Sequence, residues 1–391
     1  MLVYDLVDDV EVTGDYKSKV GNSQAVNVYD RKDFKLDRKL LHPFLTLYTD
    51  EGLGISMKYR WRAHNFRSDP YKSKHIASVN YYFSLSSLIH YYHSNIKSVF
   101  GKWDLNPSYR ITAPTFVQYY YGLGNEYIEP QLLFESEENP SFQNFVVQGS
   151  SVVFDPHISR QLKNAGAIKL GVGFKYIDFK ESNTERNLFY LTENANLSSE
   201  DLDNAYYGSL SVSFGKEQLD NSLNPRRGYK FNTGYSFHVN LEDSSTRHHR
   251  IESDIQMYIP LGPKPNVVFS TDIGFKYNFG DYEFFNANYL AGDRRLRGFW
   301  TDRFAGDGYV YQSSDLRVKI STFGQSVPTS FGIYGSFDHG RAFLDGDNNS
   351  EWHISFGGGL FFAPLDIVGF RIGYHAAESD GQIKIISSLR I

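Results

Sequence analysis

The stretch Gly292–Trp300, "GDRRLRGFW", sets one carboxylate and three guanidiniums around a single aliphatic side chain, Leu296, and closes on glycine and two aromatics. Arginine forks at this density suit bidentate recognition of a carboxylate or phosphate. Other charged clusters offer less. "ESEEN" (135–139) gathers carboxylates in one connector, where a divalent ion or a lipopolysaccharide bridge competes with plain solvation. "RHHR" (247–250) puts two histidines side by side on a strand-like segment, so they point to opposite faces and share a metal poorly. No H-E-x-x-H, G-x-S-x-G, Walker or calcium-loop pattern occurs, and with no cysteine there is no thiolate nucleophile or disulfide. The expectation is a protein that is not an enzyme and needs no cofactor or metal.

What must position the arginines is a long series of strands. Residues 229–239 alternate Tyr229, Phe231, Thr233, Tyr235, Phe237 and Val239 with Lys230, Asn232, Gly234, Ser236 and His238. Leu53, Ile55, Met57, Tyr59 and Trp61 oppose Ser56, Lys58, Arg60 and Arg62 in the same way. Period-two alternation over such lengths marks strands with one apolar and one polar face. About sixteen are readable: 42–50, 53–63, 74–84, 87–99, 103–114, 143–155, 167–180, 205–215, 228–240, 247–260, 265–279, 308–322, 329–339, 352–363, 367–376 and 382–391. Roughly ten residues is the length of a tilted transmembrane strand; strands of soluble sheets are shorter. Short turns ("FGKWD", "PLGPKP", "APLDIV") alternate with longer polar connectors (181–204, 280–307, 340–351), except at "TDEG" and 64–73. A soluble β-sandwich would alternate too, but its strands would be shorter.

Composition agrees. Hydrophobic residues make up 41% while aromatics reach 16%, which fits a wall with an apolar outside, a polar inside and aromatic girdles. No run of 18 apolar residues is present for a membrane helix. The net charge of −5 carries no signature of nucleic-acid binding. The start, "MLVYDLVDDVEV", has no basic leader or apolar core of a signal peptide. The expected fold is therefore all-β: a sixteen-stranded antiparallel transmembrane barrel of the outer membrane over 41–391, after a lead-in or linker over 1–40.

Several stretches, in order, resemble the BamA/TamA superfamily, also called outer membrane protein 85. "AGDRRLRGFW" resembles its arginine-glycine-phenylalanine loop motif, and "DNSLNPRRGY" (220–229) the turn between its eighth and ninth strands. "SSDLRVKI" (313–320) is similar to the acidic-x-Arg opening of the twelfth strand and "YGSFDHGRAF" (334–343) to the F-x-D-x-G of the thirteenth. "FGGGLFFAPLDIVGFRIGY" (356–374) resembles the glycine-rich fourteenth strand, its turn and the fifteenth. "YYGLGNEY" (120–127) is similar to an outer-loop motif of barrels fused to phosphoesterase or patatin-type hydrolases. The resemblance implies that the sixth outer loop, about 280–307, folds into the lumen, where Arg297 meets Asp338 of the thirteenth strand. Gly298 would then serve the turn, and Phe299 and Trp300 would pack its tip. Asp293, Asp315, Arg317, Gly340, Gly358 and Gly359 form the supporting motifs. Alternation independently turns Asp338 inward, opposite Phe331, Ile333, Gly335 and Phe337.

The resemblance further implies outer-membrane protein assembly or polypeptide translocation, with lipid, lipopolysaccharide and unfolded client proteins as partners. Two departures stand out: forty residues are too few for even one of the transport-associated repeats that precede the barrel in insertases, and the chain ends "SSLRI" with no terminal aromatic. A membrane anchor or export pore for a fused or partner enzyme is the alternative, and a passive porin a third. Basic residues on the inner wall (Lys58, Arg60, Arg62, His93, Lys97, Lys169, Lys175, Arg371) stand against Glu252, Asp254, Asp272 and Asp315, either as ordinary wet lining or as a field across a conduit.

Overall fold

A computed structural model of the chain describes residues 2–6, 14, 17–21, 36–48, 52–64, 70–83, 86–125, 145–163, 166–179, 197, 202–222, 224–292, 295–365, 368–377 and 381–389. One sheet of eighteen strands runs from Arg38–Tyr48 to Gly381–Leu389, with neighbours along the chain pairing antiparallel. The last strand lies beside the first, and Val146–Phe154 and His157–Leu162 both pair with Gly166–Phe179, so the sheet returns on itself as a barrel. From stave to stave the ladders satisfy the backbone, the condition for strands to cross a membrane.

Proline breaks two of the staves. Pro107 separates Trp103–Asn106 from Ser108–Tyr119, and Asp155 and Pro156 separate Val146–Phe154 from His157–Leu162. Proline has no N–H to give the ladder, so pairing stops there and resumes beyond. Eighteen strands thus make sixteen staves among the described residues.

The apolar face of each stave points outward. Leu45 (74% exposed), Leu210 (59%) and Phe356 (60%) have no protein against them, as side chains bathed in lipid should. Their neighbours in sequence turn into the lumen. Most of the buried apolar residues lie elsewhere, in clusters where the long loop of residues 281–307 enters the barrel. Leu290, Leu296, Phe299 and Phe304 pack there against Tyr309, Tyr311 and Ala342 of the wall. Nearer the barrel's end, Phe284 and Phe285 pack against Tyr120, Val147, Ile177, Phe179 and Tyr207.

Boundaries differ from expectation at several places. The first stave begins at Arg38, inside the segment read as a lead-in. Leu2–Leu6 and Lys17–Gly21 form a separate parallel pair, too short for its alternation to register. The thirteenth stave runs on to Phe343, because Gly340 and Ala342 are too small to mark a face.

Candidate functional site: the lumenal loop

The loop leaves Val267–Gly280, makes a single 3-10 turn at Phe284–Asn286, and returns to the wall at Gly308–Phe323. Its limbs hold each other through a short hairpin, Asn288–Leu290 against Phe304–Gly306. At its tip the Phe299 N–H donates to the Leu296 carbonyl at 3.0 Å, closing a β-turn around Arg297 and Gly298. Leu296 has a φ of +47°, an uncommon conformation for a side chain of its size, and is fully buried. Packing of Leu296 in the apolar cluster fixes this backbone and so aims the residue that follows.

That residue is Arg297, 5% exposed. Its backbone N–H and Nε both donate to Asp338 Oδ2 at 2.9 Å, and Nη2 donates to Asp338 Oδ1 at 2.6 Å. Nη1 donates to Asp315 Oδ1 at 2.7 Å, and Nη2 also reaches the Ser314 carbonyl at 3.4 Å. Asp338 is fully buried and accepts a further bond from Ser355 Oγ at 3.2 Å. One guanidinium is thus spread over two carboxylates on adjacent staves, a planar fork meeting planar acceptors. Asp315 turns its second oxygen to Arg371 Nη1 at 3.0 Å, on the stave Val368–Ala377.

Gly298 serves space rather than a special φ. A Cβ there would lie 2.7 Å from Ser355 Cβ and 2.8 Å from the Ala376 carbonyl carbon and oxygen, so the turn presses on two staves at once. Phe299 is fully buried edge-on to Phe304 at 5.3 Å, while Trp300 is half-buried. Arg295 lies over the rings of Tyr309 (5.1 Å) and Tyr311 (4.9 Å) and donates to Tyr309 Oη at 2.5 Å. Asp293 and Arg294 lie outside the described residues. Of the supporting residues, Gly340 leaves room for Leu290, and Gly359 lies where a Cβ would meet the Ile372 carbonyl at 2.0 Å. Gly358 sits on the outward face, near the Tyr334 carbonyl. Arg317 turns away from the loop: it reaches Asn224 Oδ1 at 3.1 Å and the Pro225 carbonyl in the turn after Ala205–Leu219.

The structure adds residues that the sequence reading passed over. Asn125, in the "YYGLGNEY" stretch, is 1% exposed. Its Oδ1 accepts from the Ala342 N–H at 3.1 Å and lies 3.0 Å from His353 Nε2, and its Nδ2 donates to the Glu351 carbonyl at 2.7 Å. Its own N–H donates to Asp347 Oδ2 at 3.2 Å, and next to it the Gly124 N–H donates to the Ala305 carbonyl at 2.7 Å. His353 stacks on Phe304 at 3.8 Å, and Arg303 lies over Tyr121 at 4.7 Å. Three loops are thereby tied across the same end of the barrel. No spacing in the sequence announces such a junction, since Asn125 lies more than 200 residues from Ala342 and His353.

The inner-wall charges meet in local pairs. Lys276 Nζ lies 3.5 Å from Glu252, Lys97 pairs with Asp104 at 2.6 Å, and Lys175 donates to Asn286 Oδ1 in the loop at 3.2 Å. Asp254 accepts from Asn232 at 3.0 Å and Asp272 from Tyr311 at 2.9 Å. His248 points inward, stacked on His238 at 4.7 Å, while His249 faces out beside Tyr235. No cluster of three potential metal ligands occurs among the described residues.

A closed antiparallel barrel with an apolar exterior and a loop folded into its lumen defines an outer-membrane β-barrel protein. The chain belongs to the Omp85 superfamily, whose domain model matches residues 139–364, more than half its length. Among solved structures it is similar to BamA from Haemophilus ducreyi lacking POTRA domains 1–3, with a TM-score of 0.59 at 13% identity over 89% of this chain and 75% of that one. It is also similar to CdiB from Escherichia coli (TM-score 0.54, 9% identity, 89% of this chain and 66% of that one). CdiB from Acinetobacter baumannii aligns with a TM-score of 0.52 at 10% identity, over 90% of this chain and 59% of that one. At these identities the likeness is one of fold. Comparison with curated proteins finds no match.

Proposed function

We propose that the chain is a barrel of outer-membrane protein assembly or polypeptide translocation, in which the loop bearing Arg297 is latched to the inner wall. Membership of the Omp85 superfamily supports the general role. The single observation that carries the latch is the fork of Arg297 across Asp338 and Asp315. A buried guanidinium with two carboxylates on neighbouring staves holds the loop at one depth and ties those staves together. In this reading the barrel that opens with Arg38 is the working part, the residues before it a lead-in or linker, and the partners are lipid, lipopolysaccharide and unfolded outer-membrane proteins. The test is insertion of an unfolded barrel substrate into liposomes carrying the refolded protein. Faster insertion than with heat-denatured protein is expected, and equal rates overturn the assignment.

A second reading, an anchor or export pore for a fused or partner enzyme, draws on the likeness of "YYGLGNEY" to outer loops of hydrolase-fused barrels and on the central place of Asn125 among the loops. Co-purification of the barrel with a phosphoesterase or patatin-type activity would favour it. A passive porin would instead conduct steadily with a large single-channel current, which the folded-in loop is expected to suppress.

A further inference from the structure

Cations concentrate on the first three staves in a way the wall itself does not require. Arg38 stands directly opposite Arg62, and Arg62 directly opposite Lys74, in one lateral row across Arg38–Tyr48, Gly52–Ala63 and Ser73–Tyr82. Directly opposed side chains on adjacent strands lie about 5 Å apart at Cβ, and like charges there destabilise the sheet. Two and four residues further along the middle stave, Arg60 and Lys58 continue the patch on the same face. These three staves contain no Asp or Glu, in a chain whose net charge is −5. Two described carboxylates at this end of the barrel are already engaged. Asp37 accepts the His64 N–H at 2.7 Å, and Asp104 binds Lys97 at 2.6 Å.

The patch faces the lumen. Ile55 and Met57, the alternate residues of the middle stave, are half exposed on the lipid side. The row Arg38–Arg62–Lys74 lies next to Ala63 and Lys72, at the barrel end opposite the loop that carries Arg297. Its stave Arg38–Tyr48 is also the one that meets the last strand. A membrane lipid approaches the other face, so what meets these cations enters through the mouth of the barrel.

We infer that this row is a docking surface for an acidic polypeptide segment in extended conformation, with carboxylates at alternate positions. The spacing carries the choice of ligand. Lys58, Arg60 and Arg62 repeat every two residues along a strand, about 6.6 Å at the usual rise per residue. An extended peptide lying along the stave repeats its same-side carboxylates at that interval. Arg62 and Lys74 then widen the contact to a neighbouring stave, and guanidiniums take carboxylates in bidentate fashion. The inference deepens the proposed handling of polypeptides by naming the chemistry of the segment handled, and rests on that reading.

The test uses the refolded full chain in uncharged detergent and a fluorescein-labelled (Glu-Ser)5 peptide, followed by anisotropy. Saturable binding that weakens with added salt is expected. The double variant Arg62→Glu/Lys74→Glu should lose at least about tenfold in affinity, as reversal of two contacting charges predicts, while the outward-facing Lys39→Glu should bind as the parent does. Unchanged heat-modifiability on gels shows that the variants are folded. Equal binding by the double variant, no binding by the parent, or binding of lipopolysaccharide at this patch without binding of the peptide each overturns the inference. Peptide binding needs no insertion activity, so a barrel that binds the peptide but inserts nothing faults the assembly role alone.

Discussion

Arg371 donates to Asp315 at 3.0 Å, and so shares the carboxylate that Arg297 holds at 2.7 Å on its other oxygen. The two arginines come from different places, the loop tip and the stave next to the last. The wall carboxylates therefore have unequal tasks. Asp338 is fully buried and serves Arg297, whereas Asp315 is 8% exposed and divides its charge. Asp338→Asn keeps the shape but sets an amide N–H₂ against guanidinium donors in a buried site. The expected loss is about 3–5 kcal/mol, the range for breaking a buried pair. Asp315→Asn leaves Arg297 its bidentate partner and costs less, about 1–2 kcal/mol. Thermal unfolding followed by heat-modifiability ranks the two, and a larger loss in Asp315→Asn contradicts the assignment.

Gly298→Ala tests how closely the loop tip is pressed against the wall. The added methyl would lie within 2.8 Å of Ser355 Cβ and of backbone at Ala376, which is fixed in a strand and cannot yield cheaply. Overpacking of this kind costs about 1–3 kcal/mol. The tip should lift, drawing Arg297 away from Asp338. Protease cleavage within residues 281–307 is the measurement: the variant should be cut faster than the parent, and identical cleavage rates argue that the tip has slack.

Asn125 predicts how the mouth is closed. Truncation to alanine leaves the Ala342 N–H without its acceptor inside a fully buried junction and removes the donor to the Glu351 carbonyl, while the His353 ring keeps only the residue-125 carbonyl at 3.1 Å. Leaving buried donors unmet costs about 1–3 kcal/mol, enough to populate an open arrangement of the three loops. Single-channel recordings of Asn125→Ala should show more frequent or larger openings than the parent. A conductance indistinguishable from the parent's means that the junction does not gate the lumen.

Much of the barrel was legible in the sequence because the membrane imposes a simple rule. Lipid on one side and a wet lumen on the other force apolar and polar residues to alternate, and Leu210, Val212, Phe275 and Ile333 do so without ambiguity. The rule fails where neither solvent is present. Beside the loop the lumen is dry and crowded, so Tyr309, Tyr311 and Ala342 face inward and blur the pattern. Resemblance to a known motif singled out Arg297 and Asp338, which the fold brings into contact, but it passed over Asn125, His353 and Arg303. Their roles arise from tertiary meetings of distant loops, and a single sequence carries no local sign of those. Arg295 needed the rings of Tyr309 and Tyr311 before its place made sense.

The turn at Asp220 gives a prediction in pH. Burial works against its charge, but the backbone N–H groups of Arg226, Arg227 and Asn221 outweigh it and hold its carboxyl below the usual carboxylate range. A carboxyl depressed in the folded state contributes stability that is present above its unfolded value and fades as pH falls through the folded one. The parent should therefore resist unfolding better than Asp220→Asn at neutral pH, with the gap narrowing once the pH drops below about 4. Arg317 should feel the change, since it reaches Asn224 and the Pro225 carbonyl in the same turn. If the advantage of the parent comes from ordering that turn, Arg317→Ala should remove part of it, and the two substitutions should combine to less than their sum. A gap between parent and Asp220→Asn that persists unchanged at pH 2.5 assigns the effect to hydrogen-bond shape rather than charge.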